Sequence, residues 1–112
     1  MSTDLASKSC VPCQGGAKAL SAEEAKSLLK ETPGWEISTD GKWLTRKFKF
    51  KNFVEAMAFV NKAGEVAEKE QHHPDIDLGW GYANFKLQTH DVGGLHQNDF
   101  ILAAKINLIP SS

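Results

Sequence analysis

A long helical pattern that runs from about Asn52 to Gln71 and must stop at His72-His73-Pro74 constrains this chain more than any other feature. Phe53, Met57, Val60, Ala63 and Ala67 recur at three- and four-residue steps and read as a core stripe, with Glu55, Lys62, Glu65 and Lys69 on the opposite side. Pro74 cannot continue a helix, and it biases His73 toward extended backbone. The chain therefore has to change from helix to extended structure at a pair of histidines.

Strand patterns lie on both sides of this helix. Asp40-Gly41 reads as the two-residue loop of a hairpin whose central positions both take positive φ. That loop sets Ile37 opposite Leu44 and Trp35 opposite Arg46, which places Trp35, Ile37, Leu44, Phe48 and Phe50 on one face. After Pro74, a short irregular or extended stretch leads through Gly79, Trp80 and Gly81 to a strand from Tyr82 to His90. Its Phe85, Leu87 and Thr89 point one way, while Tyr82, Asn84, Lys86, Gln88 and His90 point the other.

Two further helices frame these elements. Ser21 and Glu24 form a capping box, with Leu20 and Ala25 at the staple positions and Ala25, Leu28 and Leu29 on the apolar stripe, before Thr32-Pro33-Gly34 ends the helix. Gly93-Gly94 turns into a last helix from Leu95 to about Leu108. Its apolar residues cover more than one stripe, which predicts burial by a second subunit. Residues 1–19 read as a loosely ordered tail and residues 20–109 as one domain. The order α-β-β-α-β-(β)-α predicts an α+β fold, a two-layer domain with helices packed on one face of an antiparallel sheet.

Bulk properties exclude several function classes. A net charge of −1 over 112 residues exerts no long-range pull on nucleic acid or membranes. Arg46, Lys47, Lys49 and Lys51 alternate with Phe48 and Phe50, as a solvated strand face does. No apolar run approaches membrane-spanning length and no signal-peptide pattern is present, so the expected location is cytoplasmic. Cys10 and Cys13 have the spacing of a redox or zinc half-site, but they lie in the tail with no second cysteine pair, and the tail reading is preferred.

Three of the four histidines, His72, His73 and His90, fall at a helix exit and a strand end. Imidazole is the side chain suited to proton transfer near neutral pH without a metal or organic cofactor. A single histidine at a helix end could be no more than a cap; two of them fixed by Pro74, with a third nearby, point to a site. Metal binding by His72, His73, His90 and His96 with Asp75 and Asp77 is the competing reading. It is disfavoured because adjacent histidines on extended backbone diverge and no pair lies one helical turn apart. Asp99 suits the first turn of the last helix on electrostatic grounds alone. Trp80 could be a core residue or a stacking platform, and Glu68 could orient His72 from one turn earlier.

Glu68, His72-His73-Pro74, Trp80, Thr89-His90 and Asp99, in this order and spacing, closely resemble the pattern of the pterin-4a-carbinolamine dehydratases. The likeness runs from about Leu20 to Ile106. Trp80 stands where many members have Tyr, His96 stands where others have a hydroxyl N-cap, and the Cys10–Cys13 segment looks like an extension of some bacterial members. The resemblance implies a lyase that dehydrates 4a-hydroxytetrahydropterin to quinonoid dihydropterin and regenerates the cofactor of aromatic amino acid hydroxylases. It implies catalysis by His72, His73 and His90, with Glu68, Pro74, Trp80, Thr89 and Asp99 binding or orienting the substrate. Also implied are a homodimer or homotetramer, a functional link to phenylalanine hydroxylase, and no metal or organic cofactor. A non-catalytic dimerisation or helper module of the same fold is the rival reading.

Overall fold

A computed structural model describes residues 5–8, 10 and 18–110 of the chain. Three helices, α1 (Ala22–Leu29), α2 (Phe53–Glu70) and α3 (Gln97–Asn107), accompany four strands, β1 (Glu36–Ile37), β2 (Leu44–Lys49), β3 (Asp75–Gly79) and β4 (Tyr82–Leu87). The strands form one antiparallel sheet in the order β1-β2-β4-β3. Leu44, Phe48, Ala83, Phe85 and Leu87 turn inward and share a single core with α2 and α3, while Lys47, Lys49, Tyr82 and Lys86 face outward. This is the expected α+β architecture, including the inward and outward sets on β4.

The local signals that rest on backbone chemistry agree with the structure. Ser21 Oγ accepts from Glu24 N–H, and the Glu24 carboxylate accepts in return from Ser21 N–H at 2.9 Å. Ile37 pairs with Leu44. The turn between them differs from the expected two-residue loop. Only Gly41 takes positive φ, at 74°, and the loop closes one step wider, through Ser38 N–H on Trp43 C=O at 2.9 Å. Asp40 stays out of the left-handed region because its carboxylate accepts from Ser38 Oγ at 2.5 Å and Lys42 N–H at 3.0 Å.

A further correction concerns α2, and β3 settles an alternative that the sequence leaves open. Phe53 and Met57, expected in the core, are 43% and 38% exposed. The buried stripe is Ala56, Phe59, Ala63 and Ala67. Small residues let α2 lie close on the sheet, and Phe59 alone fills the space between Phe48, Phe50 and Phe85. The stretch after Pro74 is a full strand: Asp75-Ile76-Asp77-Leu78 alternates, with Ile76 and Leu78 packed against the core. It forms a hairpin with β4 around Trp80-Gly81.

The tail and α3 correct each other. Leu5 is 2% exposed within the core, in a single 3-10 turn (Leu5–Ser7) that packs on α3. Lys105 Nζ donates to Ala6 C=O at 2.9 Å and lies 3.5 Å from the Glu70 carboxylate, which also accepts from Cys10 N–H at 2.8 Å. The described part of the tail is thus held in place, and Phe100 to Ala104 and Ile106 of α3 are buried within the chain, while Leu108 is left exposed. Cys10 is a half-buried free thiol, and Cys13 lies outside the described residues.

The Glu70 carboxyl is held below its ordinary value, first by the Cys10 N–H and then by Lys105, against the opposing effect of burial. A depressed carboxyl stabilises the fold above its unfolded pKa, and that stabilisation is lost as pH falls through the folded value. Glu70→Gln should therefore lower stability at neutral pH, and the gap to the parent protein should close below about pH 4. Urea unfolding at a series of pH values measures this; a gap that widens in acid would reverse the sign.

Candidate active site

The site begins where α2 ends. Gln71 takes a left-handed conformation, φ 55°, the one positive φ at a non-glycine among the described residues. Its N–H bonds to Glu68 C=O, and the following His72 N–H bonds to Ala67 C=O, both at 3.2 Å. This is the Schellman pattern with Gln71 in the position usually held by glycine. It turns the chain sharply and fixes the His72 backbone, so the two histidines leave the helix in different directions.

His72 points inward. Its Nε2 lies 2.6 Å from Asp99 Oδ1, with the imidazole 12% and the carboxylate 0% exposed. The other Asp99 oxygen accepts from Thr89 Oγ1 and from His96 N–H, each at 2.9 Å. Asp99 occupies the third position of α3, and His96 is the N-cap, its Nδ1 accepting from Asn98 N–H at 3.1 Å. One carboxylate therefore closes the helix start, anchors the end of β4 and holds an imidazole. An oxygen that accepts from Nε2 fixes the tautomer with the proton on Nε2 and leaves Nδ1 as the second proton-exchanging atom of that ring.

His73 points outward, with Nε2 2.8 Å from Glu68 Oε1 and both side chains largely exposed. Glu68 thus pairs with His73 and not with His72, whose orienting group is Asp99. The Glu68 carboxyl is held below its ordinary range, chiefly by the His73 hydrogen bond. His90 follows Thr89 directly and opens a 3-10 turn (His90–Val92), closed by Gly93 N–H on His90 C=O at 3.0 Å and by the Thr89–Gly94 bridge. It is exposed, and its ring stands edge-on to Trp43 with centroids 6.4 Å apart.

The structure thus gathers His72, Thr89, His96 and Asp99 into one hydrogen-bonded unit, with His73, Glu68 and Pro74 beside it and His90 on the adjoining turn. It does not bring in Trp80, an exposed residue at the far tip of the β3–β4 hairpin, roughly 17 Å along the strand from Asp75. The aromatic ring beside His90 is Trp43, which sequence reading passed over. Trp43 also carries Lys86 Nζ 4.3 Å above its ring. The signal that could have found it is register: Leu44 opposes Leu87, so the outward Trp43 falls beside the outward Lys86 and Gln88. Asp75 and Asp77 lie on the outer face, and His96 is committed to its cap, so the ligand set of the metal reading is dispersed.

The fold is an α+β layer that sets a carboxylate-held imidazole and two further histidines at one end of its sheet. Comparison places this chain more closely. The sequence model of the pterin 4 alpha carbinolamine dehydratase family matches residues 18–109. A Halorhodospira halophila protein named for pterin-4-alpha-carbinolamine dehydratase is 51% identical over 105 residues, 94% of this chain and 96% of that one. One of the same name from Methylococcus capsulatus is 52% identical over 103 residues, 92% and 90% of the two chains. A crystal structure of a transcriptional coactivator/pterin dehydratase from Brucella melitensis matches with a TM-score of 0.76 at 32% identity, over 80% of this chain and 96% of that one. The chain belongs to the pterin 4 alpha carbinolamine dehydratase family.

Removing Asp99 leaves three donors without their acceptor. Asp99→Ala should cost about 3–5 kcal/mol, as breaking a buried charged network does. Thr89→Val removes one donor and should cost only about 1 kcal/mol. Equal losses in chemical denaturation would show that the carboxylate is not the centre of the network.

Proposed function

We propose that the protein is a lyase that dehydrates 4a-hydroxytetrahydropterin to quinonoid dihydropterin. The observation that carries this reading is the buried Asp99–His72 pair. A carboxylate kept out of water costs several kcal/mol unless fully paired, and a scaffold gains little from aiming one at an imidazole. In the reaction the 4a-hydroxyl leaves as water and needs a proton, while N5 gives one up. Asp99 holds His72 by Nε2, which leaves Nδ1 as the atom suited to deliver a proton to the departing hydroxyl. His90 serves the opposite stereoisomer from the adjoining turn, and exposed His73, steadied by Glu68, binds substrate and accepts the N5 proton. These transfers lie within the reach of imidazole and call for no metal or organic cofactor.

The reading extends to physiology and assembly. The product is the oxidised form of a hydroxylase cofactor, so the enzyme serves recycling for an aromatic amino acid hydroxylase such as phenylalanine hydroxylase. Phe53, Val54 and Met57 share an exposed face of α2, which favours a homodimer or homotetramer. Trp80, remote from the histidines of its own chain, would then contribute only across such an interface.

A spectroscopic dehydration assay with each 4a-stereoisomer tests the proposal. His72→Ala and His90→Ala should each lose about 10²–10⁴ in rate for one isomer and retain much of it for the other. Unchanged rates in the double variant would leave the fold as a dimerisation or helper module with idle histidines.

A further inference from the structure

The His72–Asp99 contact joins two elements that have no covalent reason to stay in register, the exit of α2 and the first turn of α3. A second tie joins the same elements: Glu70, two residues before His72, and Lys105, two turns of helix or less beyond Asp99, approach to 3.5 Å. The N-terminal segment spans both ties. Leu5 is buried in the core, Ala6 C=O accepts from Lys105, Cys10 N–H donates to Glu70, and Cys10 Sγ donates to Asn98 C=O at 3.5 Å, one residue from Asp99. Every polar contact described for Cys10 therefore falls on a residue next to the His72–Asp99 pair or two positions from it.

We propose that Leu5–Lys8 and Cys10 act as a strap that positions the catalytic pair, with Glu70 as the positioning residue through which it acts on His72. The contacts of Glu70 are to Cys10 and Lys105, and it holds the helix end from which His72 projects. Burial and the nearby Glu70 and Asp99 charges push the Cys10 thiol up to about 12, so it stays a neutral donor and suits a bracing contact rather than a nucleophile. The geometric demand is strict, because a displacement of about 1 Å at a reacting group can cost around 10²-fold in rate.

The proposal rests on His72 acting as an acid, so the test separates the two claims. Glu70→Ala and Cys10→Ala in the full-length chain, each alone and combined with His72→Ala, are assayed with both 4a-stereoisomers. Glu70→Ala should lower kcat roughly tenfold or more for the isomer that depends on His72, leaving KM and the other isomer's rate nearly unchanged. Cys10→Ala should show the same pattern with a smaller loss, which keeps the test decisive if Glu70→Ala folds poorly. Neither change should slow the enzyme further once His72 is alanine, because residues acting through one group are not additive. Glu70→Gln, which can still accept from Cys10 N–H, should recover part of the loss. Equal slowing of both isomers, or multiplicative losses in the His72→Ala background, would reduce the strap to a stability element and overturn the proposal. Full activity of His72→Ala itself would instead overturn the function assigned to His72.

Discussion

A single buried carboxylate organises this molecule. Asp99 is wholly enclosed, yet its two oxygens accept from His72 Nε2, Thr89 Oγ1 and His96 N–H. A charge in that position is tolerated because each partner repays part of the lost hydration, and each partner belongs to a different element. The start of α3, the end of β4 and the exit of α2 therefore meet at one point. Removing the carboxylate would strand all three donors, whereas losing the Thr89 hydroxyl leaves Oδ2 still bonded to His96 N–H.

The remainder of the fold keeps that point in place. Alanines at 56, 63 and 67 bring α2 close to the sheet, and the Phe48, Phe59 and Phe85 rings fill the layer between. The Schellman turn at Gln71 then releases His72 toward the interior and His73 toward solvent. The same turn explains how two adjacent imidazoles acquire different environments: one is held by a buried carboxylate and the other by an exposed one. A 3-10 turn closed on Gly93 and Gly94 performs the corresponding task for His90, which follows the Thr89 anchor without a break.

Much of this was legible in the sequence wherever one local interaction decides the outcome. The Ser21–Glu24 box, the Ile37–Leu44 register, the two faces of β4 and the halt before Pro74 all follow from chemistry within a few residues. What escaped depends on partners distant in sequence. On α2 the periodicity finds Ala63 and Ala67, but its large apolar residues Phe53 and Met57 point outward, where close packing selects Ala56 and Phe59 instead. Asp75-Ile76-Asp77-Leu78-Gly79 alternates as a strand should, but Asp and Gly disfavour strands until β4 supplies the hydrogen bonds. Glu68 lies one helical turn before His72, and only the left-handed Gln71 turns His73 toward it instead. Nothing local could reveal that Leu5 would cover α3, or that the ring beside His90 would be Trp43 rather than Trp80.

The tautomer of His72 is the most direct measure of the role given to Asp99. In ¹⁵N-labelled protein, long-range ¹H–¹⁵N correlation spectra distinguish the protonated from the unprotonated ring nitrogen. At a pH where the ring is neutral, His72 is expected to be held with its proton on Nε2, and Asp99→Asn should disturb that state while leaving the spectrum of His90 unchanged. A neutral His72 carrying its proton on Nδ1, or averaging between tautomers as a free imidazole does, would be incompatible with an imidazole fixed by the buried carboxylate.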